Sequence, residues 1–330
     1  MARNWNDMPN EVKFMIVDNM DIVTRLKLKM CSKSDKCVVE SVPMHLDYLG
    51  SQCKPEENVL VIDSNFRIRE EENGTFYRFF NGTYYERKLP KDLQKYKTEY
   101  LFKKFLGNLL FHRNLHIDDF ETNLDFPNKL SNTTINATEV SLGSNCEETV
   151  KWLNALSTKT RDIHLPNNDG YIVKGIGLIP AIINAKKFFI ERANDITDEQ
   201  LLTFKFTEGR IKESQKITVD GAIQFIQHIV NNDYPMDTDI DIHTIEAIED
   251  YEAREDDDEE ETRFCLPMNS EKEVVYYYNT RLSRFSIFVQ EAGGPVKTYR
   301  QQFGLNENNE DEEEEHEWDD NTDDEEDLDE

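Results

Sequence analysis

The chain has 330 residues, 38% of them hydrophobic, and a formal net charge of −29. That length admits one large domain or two ordinary ones, and the strong acidity excludes a surface built to attract nucleic-acid phosphates. No run of 18 apolar residues occurs, so no segment reads as a membrane span.

The charge is unevenly spread. Residues 246–261 hold 11 acids and one Arg, or −10, and residues 306–330 hold 17 acids and no Lys or Arg, or −17. Together these runs carry −27, which leaves −2 for the remainder. The expected organisation is a nearly neutral globular body with an acidic insertion at 246–262 and a disordered acidic tail at 306–330, since dense like charges repel and stay solvated. Such a tail could also meet a basic protein surface. Five cysteines (Cys31, Cys37, Cys53, Cys146 and Cys265) form no CxxC pair. An odd number of scattered thiols fits a reducing compartment, cytoplasmic or nuclear. The opening MARNWNDMPNEVK has no apolar stretch of the signal-peptide kind.

In chain order, Pro9 suits the first position of a helix, and Val12, Met15, Ile16 and Met20 follow at helical spacing. Asp21 is placed to cap a second helix from Ile22 to Met30, and a third short element runs from Cys37 to Val42 before Pro43. Residues 47–112 read as a linker, a short antiparallel β unit and a connecting helix. VLVID, FRIRE, TFYRFF and TYYERKL are strand-like, with Asn73-Gly74 and Asn81-Gly82 as turns. Pro90 is expected to start the helix, with Leu93, Tyr96, Tyr100, Leu101, Phe105 and Leu109 as its buried stripe.

Residues 113–305 show a rhythm. Five strand-like runs centre on Ile117, Val140, Ile163, Phe188 and Ile211, at spacings of 23, 23, 25 and 23, with helical stretches CEETVKWLNALS, TDEQLLTF and TVDGAIQFIQHIV between or after them. One strand and one helix in 20–29 residues is the period of a leucine-rich-repeat-like solenoid. VVYYY and FSIFVQ then close the far end of the sheet. The expected fold class is therefore α/β: N-terminal helices, a short antiparallel β unit, and a curved strand–helix repeat domain.

The N-terminal residues 1–46 resemble an F-box. Pro9, Glu11, Ile16, Met20, Leu26 and Ser32-Lys33 fall at the places of that family's pattern, with Met8 standing where Leu is usual. Followed by a degenerate strand–helix repeat, this is similar to nematode-type F-box proteins with an F-box-associated domain, whose repeats Leu153–Asn167 and Ile196–Lys205 resemble. The resemblance implies a substrate-recognition subunit of a cullin-RING (SCF-type) ubiquitin ligase. The Skp adaptor would cover the face of Met8, Pro9, Val12, Ile16, Met20, Val23 and Leu26. Three short helices bury too little area to fold well alone, which is a separate reason to expect a covering partner. A protein substrate, not nucleic acid or membrane, would meet outward strand residues: His116, Asp118, Glu139, Ser141, Arg161, His164, Lys187, Glu191, Arg210 and Lys212. The alternative is a non-ligase acidic scaffold that binds basic proteins.

No enzymatic motif stands out. GxSxG, Walker and GxGxxG patterns are missing. His112 and His116 have a metal-ligand spacing for a helix, but without the HExxH glutamate the preferred reading is a helix end running into a strand. No cofactor and no metal site are expected, and the chain itself is not expected to be an enzyme.

Overall fold

The computed structural model describes residues 5–53, 58–71, 74–81, 83–112, 114–167, 172–245, 261–280 and 282–294. The first three helices are short, and side chains fix their starts. Helix α1 spans Asn10–Asp18, with Pro9 at the position before it. Helix α2, Ile22–Cys31, begins where the Asp21 carboxylate accepts the Thr24 N–H at 2.9 Å. Helix α3, Lys33–Ser41, begins where Ser32 Oγ accepts the Asp35 N–H at 3.0 Å. These are N-caps that satisfy otherwise orphan donors. Helix α3 starts four residues earlier than the sequence suggested, because Ser32 outweighs the weak propensity of Lys33–Lys36.

Val17, Val38, Val39 and Val42 make a small core for this helical unit, flanked by Trp5, Met20 and Leu28. The unit joins the rest through α2: Ile22 belongs to the main core and Leu26 lies against it. Buried Arg25 donates to the carbonyls of Asp18, Met20 and Pro43 at 2.7–3.1 Å, which ties both ends of α1–α3 together. Only Val42 and Pro43 separate α3 from strand β1, Met44–Cys53.

The sequence reading placed no strand at 44–53, yet β1 is the pivot of the sheet. It pairs antiparallel with β2, Asn58–Ile62, which leads to β3 (Phe66–Glu71), β4 (Gly74–Asn81) and β5 (Thr83–Lys88) in antiparallel succession. Its other edge pairs in parallel with β6, Leu115–Thr122. Between them lies α4, Thr98–Leu109. This helix begins eight residues after Pro90, so its stripe differs from the expected one: Phe102, Leu106 and Leu109 are buried, whereas Leu93, Tyr96 and Tyr100 are exposed.

From β6 each strand lies next to its predecessor. Strand β7 (Asn136–Leu142) is followed by α5 (Cys146–Ala155), β8 (Asp162–Leu165), α6 (Pro180–Asn184), β9 (Lys187–Ile190), α7 (Asp198–Leu201), β10 (Glu208–Ile211), α8 (Val219–Asn231) and β11 (Asp239–His243). All these strands are parallel. Strand β12 (Glu261–Pro267), β13 (Lys272–Asn279) and β14 (Arg284–Glu291) finish the order antiparallel, with β14 on β11. The result is a 14-stranded sheet among the described residues. The antiparallel unit expected at the N-terminal side and the repeat strands are thus parts of one sheet. The acidic insertion and tail lie outside the described residues, except that 261 and 262 open β12.

The core is a row of register partners: Leu49, Phe120, Val140, Ile163, Phe188, Gly209 and Ile240. Gly209 interrupts the large side chains because a Cβ there would meet the Phe188 carbonyl oxygen at 2.4 Å. Trp152 of α5 is fully buried over this row, 5.4 Å from the Phe120 ring and edge-on to Phe126, and its indole N–H donates to Leu124 O at 2.8 Å. Arg192, also buried, has no carboxylate partner among the described residues. Its guanidinium donates to the carbonyls of Leu142, Ser144 and Pro166 at 2.8–2.9 Å and so ties together the exits of β7 and β8. Buried Asn194 does similar work, linking Arg192 O, Lys212 O and the Ile196 N–H.

Candidate functional site

Two surfaces remain once the core is accounted for: one face of the N-terminal helices, and the face of the parallel strands opposite the core.

On the helices, the period of α1 turns Lys13 and Val17 inward. Lys13 lies over the Trp5 ring at 5.7 Å, and the Trp5 indole N–H donates to Asp35 at 2.7 Å. Hydrogen bonds from Ser32 and Trp5 hold the Asp35 carboxyl below the usual carboxylate range. Elsewhere α1 leaves apolar side chains to solvent beside exposed Glu11 and Asp18: Val12 is 41% exposed, Phe14 37% and Met15 69%. Met30 on α2 is 86% exposed. Of the residues expected to meet an adaptor, Pro9 and Val12 are exposed, and Met8 and Ile16 are half-buried. Met20 and Leu26 are half-buried against the small cluster and the main core, respectively. The side chain of Val23 lies outside the described set. Met15 and Met30 were missed as surface candidates. Met15 follows Val12 by three residues, the helical neighbour spacing that could have found it.

The open face of the sheet follows from strand alternation. One outward row runs Tyr48, Asp119, Glu139, Asp162, Lys187, Glu208 and Asp239, and the next runs Glu121, Ser141, His164, Phe189, Arg210 and Asp241. A shallow groove of about 420 Å³ opens over the middle of these rows, lined by Asp119, Glu139, Asp162, His164, Lys187 and Phe189, among others. His164 meets Phe189 edge-on at 6.3 Å, and burial pushes its pKa down.

The expected substrate residues divide. Glu139, Ser141, His164 and Lys187 come together in the groove. Arg161 sits at its edge, paired with Glu139 at 2.5 Å and Asp162 at 2.9 Å. Lys187 pairs with Glu208 at 2.5 Å, and Lys212 with Glu191 at 3.6 Å. Arg210 is committed to buried Asp241, which also accepts from Arg284 and Ser286, so it fixes the β10–β11–β14 junction. His116 and Asp118 stand apart, next to His45. His112 and His116 do not share a helix: His112 is buried after α4 and His116 lies on β6. The acids at the two ends of the first row were not anticipated. Burial, with Glu139 and Glu121 nearby, raises the Asp119 pKa. Burial, with Asp241 and Glu208 nearby, pushes Asp239 up to about 6.

The helical surface is the part that comparison with known families identifies. Residues 5–47 match the F-box domain. The matched span covers α1–α3 and the start of β1, and it includes the exposed apolar side chains of α1. An F-box domain supports a role as an SCF-type adaptor subunit that binds the Skp adaptor within a cullin-RING ligase, and F-box proteins are usually substrate receptors rather than enzymes. No curated protein matches the chain. No helix among the described residues is long and apolar enough to cross a membrane.

Proposed function

We propose that this protein is the substrate-recognition subunit of an SCF-type ubiquitin ligase. The Skp adaptor covers the apolar side of the N-terminal helices, and a protein substrate lies along the open sheet face. The observation that carries this reading is the F-box match over helices whose own small core leaves Val12 and Met15 in solvent. Apolar side chains grouped on one helix face favour a partner of matching character. Met8, Pro9 and Ile16 extend that patch, and the half-buried Met20 and Leu26 offer it only what their packing against the chain's own cores leaves exposed. On the sheet, the groove around His164 and Phe189 offers an aromatic floor between charged rows. Two carboxylates pushed above their usual range, Asp119 and Asp239, favour a substrate segment that brings a positive charge.

The test is adaptor affinity measured on the full chain. Val12→Asp and Met15→Asp change exposed residues, so the fold should be kept while binding to purified Skp adaptor falls by about tenfold or more. Unchanged affinity in both variants would remove the helices from the interface and the ligase assignment with it.

A further inference from the structure

The F-box reading leaves one cluster on the open face without a role. His45 on β1 and His116 on β6 are register partners, and their rings stand 5.3 Å apart. Asp118 lies between them, with Oδ2 at 2.9 Å from His45 Nε2 and Oδ1 at 3.3 Å from His116 Nε2. The three ligand-type atoms all lie within 4.8 Å of one another. Asp47 Oδ1 is 3.6 Å from His45 Nε2, and Thr138 Oγ1 is 3.2 Å from His116 Nε2.

Regular alternation brings these groups together: His45 and Asp47 on β1, and His116 and Asp118 on β6, are two residues apart and share the outward face. Strict alternation would send every second residue to the core. In β1, however, Asp47 and Tyr48 both turn away from the core between buried Leu46 and Leu49. In β6, Asp118 and Asp119 do the same between Ile117 and Phe120. In β7, Thr138 and Glu139 do so between Ala137 and Val140. The doubled outward step follows the cluster and returns Leu49, Phe120 and Val140 to the core.

Zinc takes imidazole nitrogen and carboxylate oxygen at about 2.0–2.2 Å, which sets tetrahedral donors roughly 3.3 Å apart. The His116–Asp118 separation matches that value and the His45–Asp118 separation is shorter. A simple His–Asp hydrogen bond would use one imidazole, whereas here each carboxylate oxygen of Asp118 faces a different one. Two imidazoles with a carboxylate suit zinc, cobalt, nickel or copper, and not magnesium or calcium, which prefer oxygen alone. His45 is 55% and His116 48% exposed at the side chain, so an ion can reach them from solvent.

We propose that His45, His116 and Asp118 form a binding site for a borderline divalent cation such as Zn²⁺, with Asp47 or water completing the coordination. The site joins the last residues of the F-box span to the first repeat strand across the β1–β6 ladder. A bound ion there clamps the two parts together, and positions left to water are open to a side chain of a bound protein.

Co²⁺ is the probe, titrated into the full chain with excess Mg²⁺ present to occupy the acidic runs, whose side-chain ligands are carboxylates apart from His316. The expected result is a saturable visible absorption band typical of nitrogen-ligated Co²⁺, displaced by Zn²⁺. It should be lost in His45→Ala and in His116→Ala, and its affinity should drop by about tenfold or more in Asp118→Asn. Circular dichroism of these surface variants should match the parent, and His45→Gln, which keeps the side-chain bulk, serves if an alanine variant misfolds. Absence of the band in the parent chain overturns the site. So does equal Co²⁺ affinity in the His45→Ala/His116→Ala double variant, which would assign the ion to the acidic runs.

Discussion

The helical unit and the sheet dispose of their apolar residues in opposite ways. The parallel strands keep most of theirs inside: Phe120, Val140, Ile163 and Phe188 are covered, and the outward rows carry ion pairs around Phe189. The helical unit has four valines for a core and turns Val12, Phe14, Met15 and Met30 to solvent. A region that closes on itself is built for stability. On the proposed function, a region that leaves oily side chains outside has part of its interior supplied by another molecule.

The sharpest way to break this contrast is Trp152→Ala. Removing a fully buried indole should cost about 3–5 kcal/mol, read as a lower urea midpoint for the sheet. A loss under about 1 kcal/mol would mean the sheet core is not closed around it. Val39→Ala in the small cluster should cost less, about 2 kcal/mol, and should show first as weaker adaptor binding. If both variants shift one common transition by the same amount, the two regions are a single cooperative unit and the contrast is only one of surface.

Asp239→Asn should act in the other direction. The Asp239 pKa is raised to about 6, so the folded state binds the proton more tightly than the unfolded chain. Its contribution is full below the unfolded value near 4 and is lost as pH rises through about 6. At pH 7 the ionised group is therefore a burden, and the amide should stabilise by about 1 kcal/mol after allowance for solvent screening. The gain should vanish in melts below about pH 4. Smallest of all, Met15→Ser should change stability by no more than about 0.5 kcal/mol. A larger loss would place Met15 inside the protein and not on its docking face.

Much of the architecture was legible because it obeys local rules. Strands β2–β5 announce themselves by alternating aromatic and β-branched residues, and the repeat strands by their even spacing. Strand β1 was not legible, because MHLDYLGSQC buries polar residues. Ser51 is fully buried and donates to Thr122 Oγ1 at 2.8 Å, a solution that hydrophobic counting does not see. DIDIH of β11 drew no strand reading, although its Asp241 is paired with Arg210 and Arg284 and accepts from Ser286. In α4 the expected stripe failed because Lys91–Lys95 form turns and delay the helix. The helical cap at Asp21 was readable from a single side chain. The candidate sites were partly legible for the same reason. The α1 face follows from helical spacing, but the meeting of His45 with His116 depends on which strands pair, and that is set by the whole sheet.

The short joint at Val42 and Pro43 has a mechanical consequence. Val42 is held in the valine cluster and Met44 in the sheet core, so the chain has almost no slack between them. A receptor with a floppy tether lets its cargo wander and offers many lysines in turn to the ubiquitin-carrying enzyme. On the proposed role, one hinged so tightly would present its cargo in a single pose, and reach and angle would choose the lysines that are modified.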